Sequence, residues 1–386
     1  TCSDQKEKRI MIEIREIFPS DKRLFRKFVD FPNKLYKNCT HYVPCLFSDE
    51  INLLNPEKNV SFEECKARYF LAYKDGVIAG RICGLIQLKS NEIHNEKAMR
   101  FSRFDAIDDA EVFRALLAAV EKYAEEEGME LVHGPYGFND MDREGYLFDG
   151  FDLDATFATY YNYPYYRKHF NEAGYTQENE WLEYRITIPD EVPEKVERVA
   201  QIAEKRYGLK VLNGLPKKEL KEKWMHAILD CYDECYSVLP GTVPLSPKLR
   251  SQLADQFLLV INTRYLTLVV NEENEVAAFG LSFPTISKFL HKSGGRLYPG
   301  VLLKILREVK HPTGLELGIV GCREKYRMSG ALAMILRQNI IELKKDGIRE
   351  VESNPELVFN NNILNLWNPF ERKLVRHRET VKKELK

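Results

Sequence analysis

The chain has 386 residues, 44% hydrophobic and 30% charged, and its 57 Lys and Arg nearly balance 58 Asp and Glu, for a formal net charge of −1. Domains usually run to roughly 100–200 residues, so two are expected, each long enough to bury a core. The near-neutral balance gives no general attraction to nucleic acid; no apolar run reaches the roughly 18 residues of a membrane-crossing helix; and the polar stretch Thr1 to Arg9 lacks the apolar core of a signal peptide.

In chain order, a strand is predicted over Ile10 to Ile17 and a helix from about Asp21, a good cap residue. Pro32 to Glu64, rich in Asn and Pro, reads as irregular. A hairpin follows, with Tyr69–Tyr73 and Val77–Ile82 flanking the turn Asp75-Gly76. A strand near Met99 to Phe104 precedes a helix marked by Phe113, Leu116, Leu117, Val120 and Ala124, capped by Asp109 and ended by Gly128. The strand Glu130 to His133 runs into the loop Gly134 to Asp142, and after the aromatic stretch Tyr160 to Tyr166 comes the strand Trp181 to Ile188, closed by Pro189.

The second half repeats this order. A helix carries Val196, Val199, Ala200, Ala203 and Tyr207, with Gly208 at its end, and the strand Leu209 to Leu212 follows. A helix with Leu220, Trp224, Ile228, Cys231 and Cys235 leads to a hairpin, Tyr265–Val270 and Val276–Phe283. Then come the apolar strand Leu315 to Cys322, the helix Ser329 to Lys345, the strand Glu350 to Ser353, the helix Asn360 to Trp367 and the strand Lys373 to Lys382. Two copies of one α/β domain are therefore expected, over 10–190 and 191–386. The eight cysteines form no C-x-x-C pair, which suits reduced thiols in a cytoplasm. Cys231 and Cys235 read as buried thiols, and no metal is expected.

The segment Gly321 to Ala331 lies where an apolar strand ends and a long helix begins. Successive amides and the helix dipole at such a turn cradle an anion, and Gly330 allows close backbone approach. This segment resembles the acyl-CoA loop of the GNAT superfamily, Q/R-x-x-G-x-G/A: Arg327 and Gly330 match, and Leu332 departs from the third anchor. The resemblance implies tandem GNAT-like domains, each a mixed central sheet flanked by helices. It also implies an acyl-CoA site in the second copy at Val320, Cys322, Arg327, Met328, Ser329, Gly330 and Ala331. Asn360 and Trp367 resemble the ends of the family's N-x-x-A-x-x-x-Y pattern, in which Asn holds the CoA arm and Tyr returns a proton to the thiolate; the indole of Trp367 is no acid. The first copy's connection, Phe104 to Asp109, has no glycine and three carboxylates, which would repel a pyrophosphate.

The loop Gly137-Phe138-Asn139-Asp140-Met141-Asp142, the run Tyr161 to Tyr166, Phe31-Pro32 with Leu35-Tyr36-Lys37, and Glu352 with Asn354 to Leu357 are similar to a family of two-domain bacterial GNAT-like N-acetyltransferases. Some relatives are implicated in acylating the amine of a sphingoid base. This implies an N-acyltransferase using acetyl-CoA or a longer acyl-CoA as substrate. Glu316 is the first candidate base and Glu352 the second. Tyr136, Phe138, Asp140 and Asp142 are expected to line the wall for a small-molecule or lipid amine. His133 reads as a structural histidine. The mixed apolar and basic stretch Phe289 to Pro299 reads as a mobile surface loop, or as a peripheral membrane contact. No nucleic-acid partner is expected, and the oligomeric state is open. A non-catalytic acyl-CoA-binding or interaction protein and an aminoacyl-tRNA-dependent transferase remain as alternatives.

Overall fold

The computed structural model describes residues 11–239 and 241–385. Ile10, the expected start of the first strand, and the polar stretch before it lie outside the described residues. Among the described residues, fourteen strands form one sheet: β1 (Ile12–Ile17), β2 (Cys65–Lys74), β3 (Val77–Gln87), β4 (Ala98–Ala106), β5 (Leu131–Gly134), β6 (Tyr146–Asp149), β7 (Thr176–Thr187), β8 (Lys210–Asn213), β9 (Leu266–Val270), β10 (Val276–Pro284), β11 (Leu315–Cys322), β12 (Glu350–Glu352), β13 (Glu356–Leu357) and β14 (Arg372–Glu384). The order is β1-β2-β3-β4-β5-β14-β7-β12-β11-β10-β9-β8, with β6 on β14 and β13 on β7.

The pairing reads the same from both ends. β1 to β4 pair antiparallel, β4 and β5 parallel. From the other edge, β8 to β11 pair antiparallel, and β11 and β12 parallel. At the centre the C-terminal strand β14 crosses to pair with β5, and β7 of the first half pairs with β12 of the second. The halves thus exchange a strand, and the linear boundary near Pro189 marks no gap in the sheet.

A long helix packs on each half in the same way. Ala110–Glu126 buries Val112, Phe113, Leu116, Leu117 and Val120, and Asp109 caps it by accepting from the amides of Glu111 and Val112. Ala331–Lys345 buries Met334, Ile335, Ile340 and Leu343. A Cβ on Gly80 in β3 would lie 2.7 Å from Leu116 Cδ1, and one on Gly280 in β10 would lie 2.6 Å from Ile335 Cγ2. Each half therefore uses a glycine where its helix presses closest on the sheet.

Several elements were not expected. Pro32 to Glu64 holds the end of the helix Lys22–Leu35, the helix Phe47–Leu53 and a 3₁₀ turn, Val60–Glu63. Such pieces are too short to display a helical period. The helices Pro247–Val260 and Pro299–Lys310 also went unread, although each begins with proline at its first position and Ser246 caps the former. Phe289 to Pro299 is not a free loop. His291 Nδ1 lies 2.8 Å from Tyr42 O, Arg296 pairs with Asp30, and the Phe47 amide donates to Gly295 O.

Candidate active site

β11 and β12 are paired only at Leu315–Val351 and Glu316–Glu352. Beyond Glu316 they part, and Asn354 Nδ2 bridges the gap to Gly318 O at 3.1 Å. The first half parts likewise after Arg100–His133. Parallel strands that separate leave backbone groups and a slot between them, which a ligand can enter.

The parted end of β11 leads into the N-terminus of Ala331–Lys345. Among the described residues, the amides of Met328, Gly330 and Leu332 donate to no protein acceptor. These are the orphan donors of a helix start, in the dipole's positive field. Arg327 is exposed and pairs with no carboxylate among the described residues. The earlier part of the loop is already occupied: Glu234 accepts from the Glu324 amide at 3.1 Å and pairs with Arg323 at 2.7 Å. Within 327–332 the amides of Arg327, Ser329 and Ala331 are taken by Glu324 O, Tyr326 O and Ser329 Oγ, and the three amides left free, with the Arg327 guanidinium, are donors of the kind that suit an anion. Ser329 and Ala331 are buried in the turn, with Ser329 Oγ donating to Tyr326 O. Gly330 has φ +89°, and a Cβ there would meet Val199 O at 2.8 Å, so this glycine also lets two helices pack.

The corresponding place in the first half is filled. Asp109 caps the helix start and pairs with Lys74, while Asp108 lies 2.7 Å from His169 Nε2. The hydroxyl of Tyr165 donates to Ala106 O, and that of Tyr166 accepts from the Ala106 amide. Side chains and carboxylates thus stand where the second half presents free amides.

Glu316 is 7% exposed. Its carboxyl accepts from the Phe157 amide (3.3 Å) and from Ser287 Oγ (3.4 Å). Burial first, and then the neighbouring Glu352, push it up to about 7. Burial also works to raise Glu352, but Arg376 and then Arg185, at 2.8 and 2.7 Å, override it and hold that carboxyl below its ordinary value. The two candidate bases therefore sit side by side with opposite tuning: Glu316 takes a proton near neutral pH and Glu352 stays charged.

The loop after β5 reaches the second half through Asp140, which accepts from the hydroxyl of Tyr232 in the helix Met225–Tyr236. Tyr236 stacks on Tyr232 and donates to Val320 O at 3.2 Å, on the parted stretch of β11. Glu144 lies close by, raised to about 8 by burial and then by Asp140. Tyr136 packs with Trp181, Leu239 and Leu357, and its hydroxyl donates to Glu178. Phe138 is 1% exposed within the first half's core, and Asp142 clasps the buried Arg103 with both oxygens at 2.6 and 2.9 Å. Of the expected acceptor wall, Asp140 is the carboxylate brought near β11, while Phe138 and Asp142 are engaged in packing and pairing. His133 has Nδ1 3.1 Å from Glu178 and, among the described residues, no partner at Nε2. Sequence reasoning missed Tyr232, Tyr236 and Glu144. The signal for the tyrosines was their i, i+4 spacing one position beyond the cysteine face of the same helix.

Asn360 is half-buried and precedes the helix Asn361–Leu364. Trp367 is buried with Phe370, and its indole N–H donates to Glu356 at 2.7 Å. Cys322 is buried at the end of β11, its thiol raised to about 12 by burial. Cys231 and Cys235 are free thiols 4.0 Å apart, and no group of His, Cys, Asp and Glu among the described residues is arranged to hold a metal.

No family model matches the chain. It is 23% identical over 330 residues to Protein YghO of Escherichia coli (strain K12), covering 84% of this chain and 83% of that protein. It is also 23% identical over 311 residues to the bacterial ceramide synthase of Caulobacter vibrioides, covering 79% of each. Among solved structures it resembles a tandem GNAT protein from the clavulanic acid biosynthesis pathway, with TM-score 0.54, 12% identity and 97% and 98% of the two chains covered. It resembles as well a GCN5-related glucosamine N-acetyltransferase region of a fungal multi-domain β-N-acetylglucosaminidase, with TM-score 0.55 and 13% identity over 97% of this chain and 38% of that one. The strand order, the two parted strand pairs and these likenesses agree: the chain has the GNAT fold in tandem.

Proposed function

We propose that this protein is an acyl-CoA-dependent N-acyltransferase whose second half binds the acyl-CoA and whose acceptor is a primary amine on a lipid. The observation that carries the reading is the three free amides of Met328, Gly330 and Leu332, next to parted strands, in the half whose strand β11 also holds Glu316. A carboxyl near 7 is suited to take a proton from an amine at neutral pH. Tyr236, kept protonated by burial, is the donor this reading assigns to the leaving thiolate, since Trp367 is committed to Glu356. The likeness to the bacterial ceramide synthase supports an amine attached to a long chain, and the acyl group is acetyl or longer.

Calorimetry with acetyl-CoA and a long-chain acyl-CoA, followed by thiol release with a sphingoid base, tests this. Binding and acceptor-dependent thiol release are expected. Met328 is 92% exposed, so Met328→Glu adds charge at the cradle without touching the core. It should weaken acyl-CoA binding about tenfold or more at unchanged melting temperature. Unaltered affinity in that variant would remove the site; binding without thiol release for any amine would leave an acyl-CoA-binding protein without chemistry.

A further inference from the structure

The helix Pro299–Lys310 packs one face, with Ile305 and Glu308, against the protein. Its outer face and approach are apolar: Leu297, Tyr298, Leu302, Leu303 and Leu306 are between 41% and 68% exposed. At 100° per residue, Leu302, Leu303 and Leu306 fall within about 100° of one another, and Lys310, Arg307 and Lys304 continue the arc. These three cations are exposed, and among the described residues none is in an ion pair. The helix has one carboxylate, Glu308, which is buried, paired with Lys288 and bonded to Thr313. An outer face of leucines flanked by unpaired cations, with its one acid turned inward, complements a surface that is apolar inside and negative at its rim. A contact between two copies would oppose like charges, so the charge pattern favours lipid over self-association.

We infer that the outer face of Pro299–Lys310, with Leu297 and Tyr298, docks the protein on an anionic lipid bilayer. The leucines enter the headgroup region while Lys304, Arg307 and Lys310 meet lipid phosphates. The place of this helix gives the contact a use. Residues 311–314 connect it directly to β11, whose second residue is Glu316, and Ser287 on its other side donates to that same carboxyl. An amine held in the membrane would be delivered at the candidate base; this link rests on the function proposed above, while the docking itself does not.

Co-sedimentation of the full chain with phosphatidylglycerol and phosphatidylcholine vesicles tests it. Binding to the anionic vesicles is expected, with loss on raising salt. A triple Leu302→Ser, Leu303→Ser, Leu306→Ser variant and a triple Lys304→Glu, Arg307→Glu, Lys310→Glu variant should each bind about tenfold or more weakly. Both alter exposed side chains, so their melting temperatures should match the parent's. Equal binding to neutral and anionic vesicles, no binding to either, or folded variants that bind like the parent would overturn the docking surface. So would a parent dimer that the leucine variant turns to monomer without changing vesicle binding. Thiol release with a short, water-soluble amine separates the two ideas: it should survive in both variants, and its absence from the parent counts against the acyltransferase and not against docking.

Discussion

Glu316 shows how one residue's surroundings set its chemistry. A carboxylate early in a strand was legible as a candidate base, but what raises it is burial first and then Glu352 alongside, opposed by hydrogen bonds from the Phe157 amide of the first half and from Ser287, just past the end of β10. Between the free carboxyl's range and about 7 the folded chain holds this proton and the unfolded chain does not, so Glu316 by itself makes the fold lose stability as pH rises through that window. Glu316→Gln keeps the shape and removes the titration. It should flatten the stability loss above pH 5 in melting experiments. Its kcat/KM should fall by about 10²–10⁴, together with loss of the parent's rise in rate through pH 7. A variant that keeps both the rate and the pH profile would exclude Glu316 as base. The loop carboxylates teach the opposite lesson. Asp140 and Asp142 look equivalent in sequence, yet Asp142 neutralises the buried Arg103 and Asp140 reaches Tyr232 in the other half.

Among the elements, β7 and β14 lie side by side at the centre of the sheet and carry a cluster of fully buried charges. Glu183 on β7 accepts from Arg376 at 2.9 Å and also from Arg378, both on β14, and all three are at most 2% exposed. Arg376 reaches on to Glu352, so this network also supports the carboxylate beside Glu316. Buried ions of this kind cost desolvation, and stranding one is worse than replacing the set. Glu183→Gln should therefore lower unfolding free energy by about 3–5 kcal/mol, read from denaturant titration. A loss under about 1 kcal/mol would mean that water reaches the guanidinium groups. The two strands were read in the sequence as Trp181 to Ile188 and Lys373 to Lys382, whereas their partners were not, because a strand's own residues indicate which face is buried and nothing about which strand lies alongside.

At the scale of the molecule, the exchanged strands join the halves through backbone hydrogen bonds. A fragment ending near Pro189 lacks β14, which pairs with β5, and the complementary fragment lacks β7, which pairs with β12. The full chain should melt in a single transition. The two fragments expressed separately should fail to give a folded species, and expressed together they should form a one-to-one complex, as size-exclusion chromatography and calorimetry would show. Two independent transitions, or a folded fragment on its own, would contradict this. No helix among the described residues is long and apolar enough to cross a membrane.

Legible in the residues alone were the repeat, the two long helices with their packing faces, the cap of the first at Asp109, the hairpin at Asp75-Gly76, and the contrast between a glycine-bearing loop at Gly330 and an acidic one at Asp105 to Asp109. These are local properties: periodicity, turn chemistry and charge all act within a few residues. The tertiary structure decided what sequence spacing cannot carry. It exchanged β7 and β14, brought Tyr232 and Tyr236 between Asp140 and Val320, placed Phe157 on Glu316, and turned the leucines of Pro299–Lys310 outward. Each of these joins groups far apart in the chain, and the free energy of such contacts depends on burial and partners that exist only once the sheet has closed.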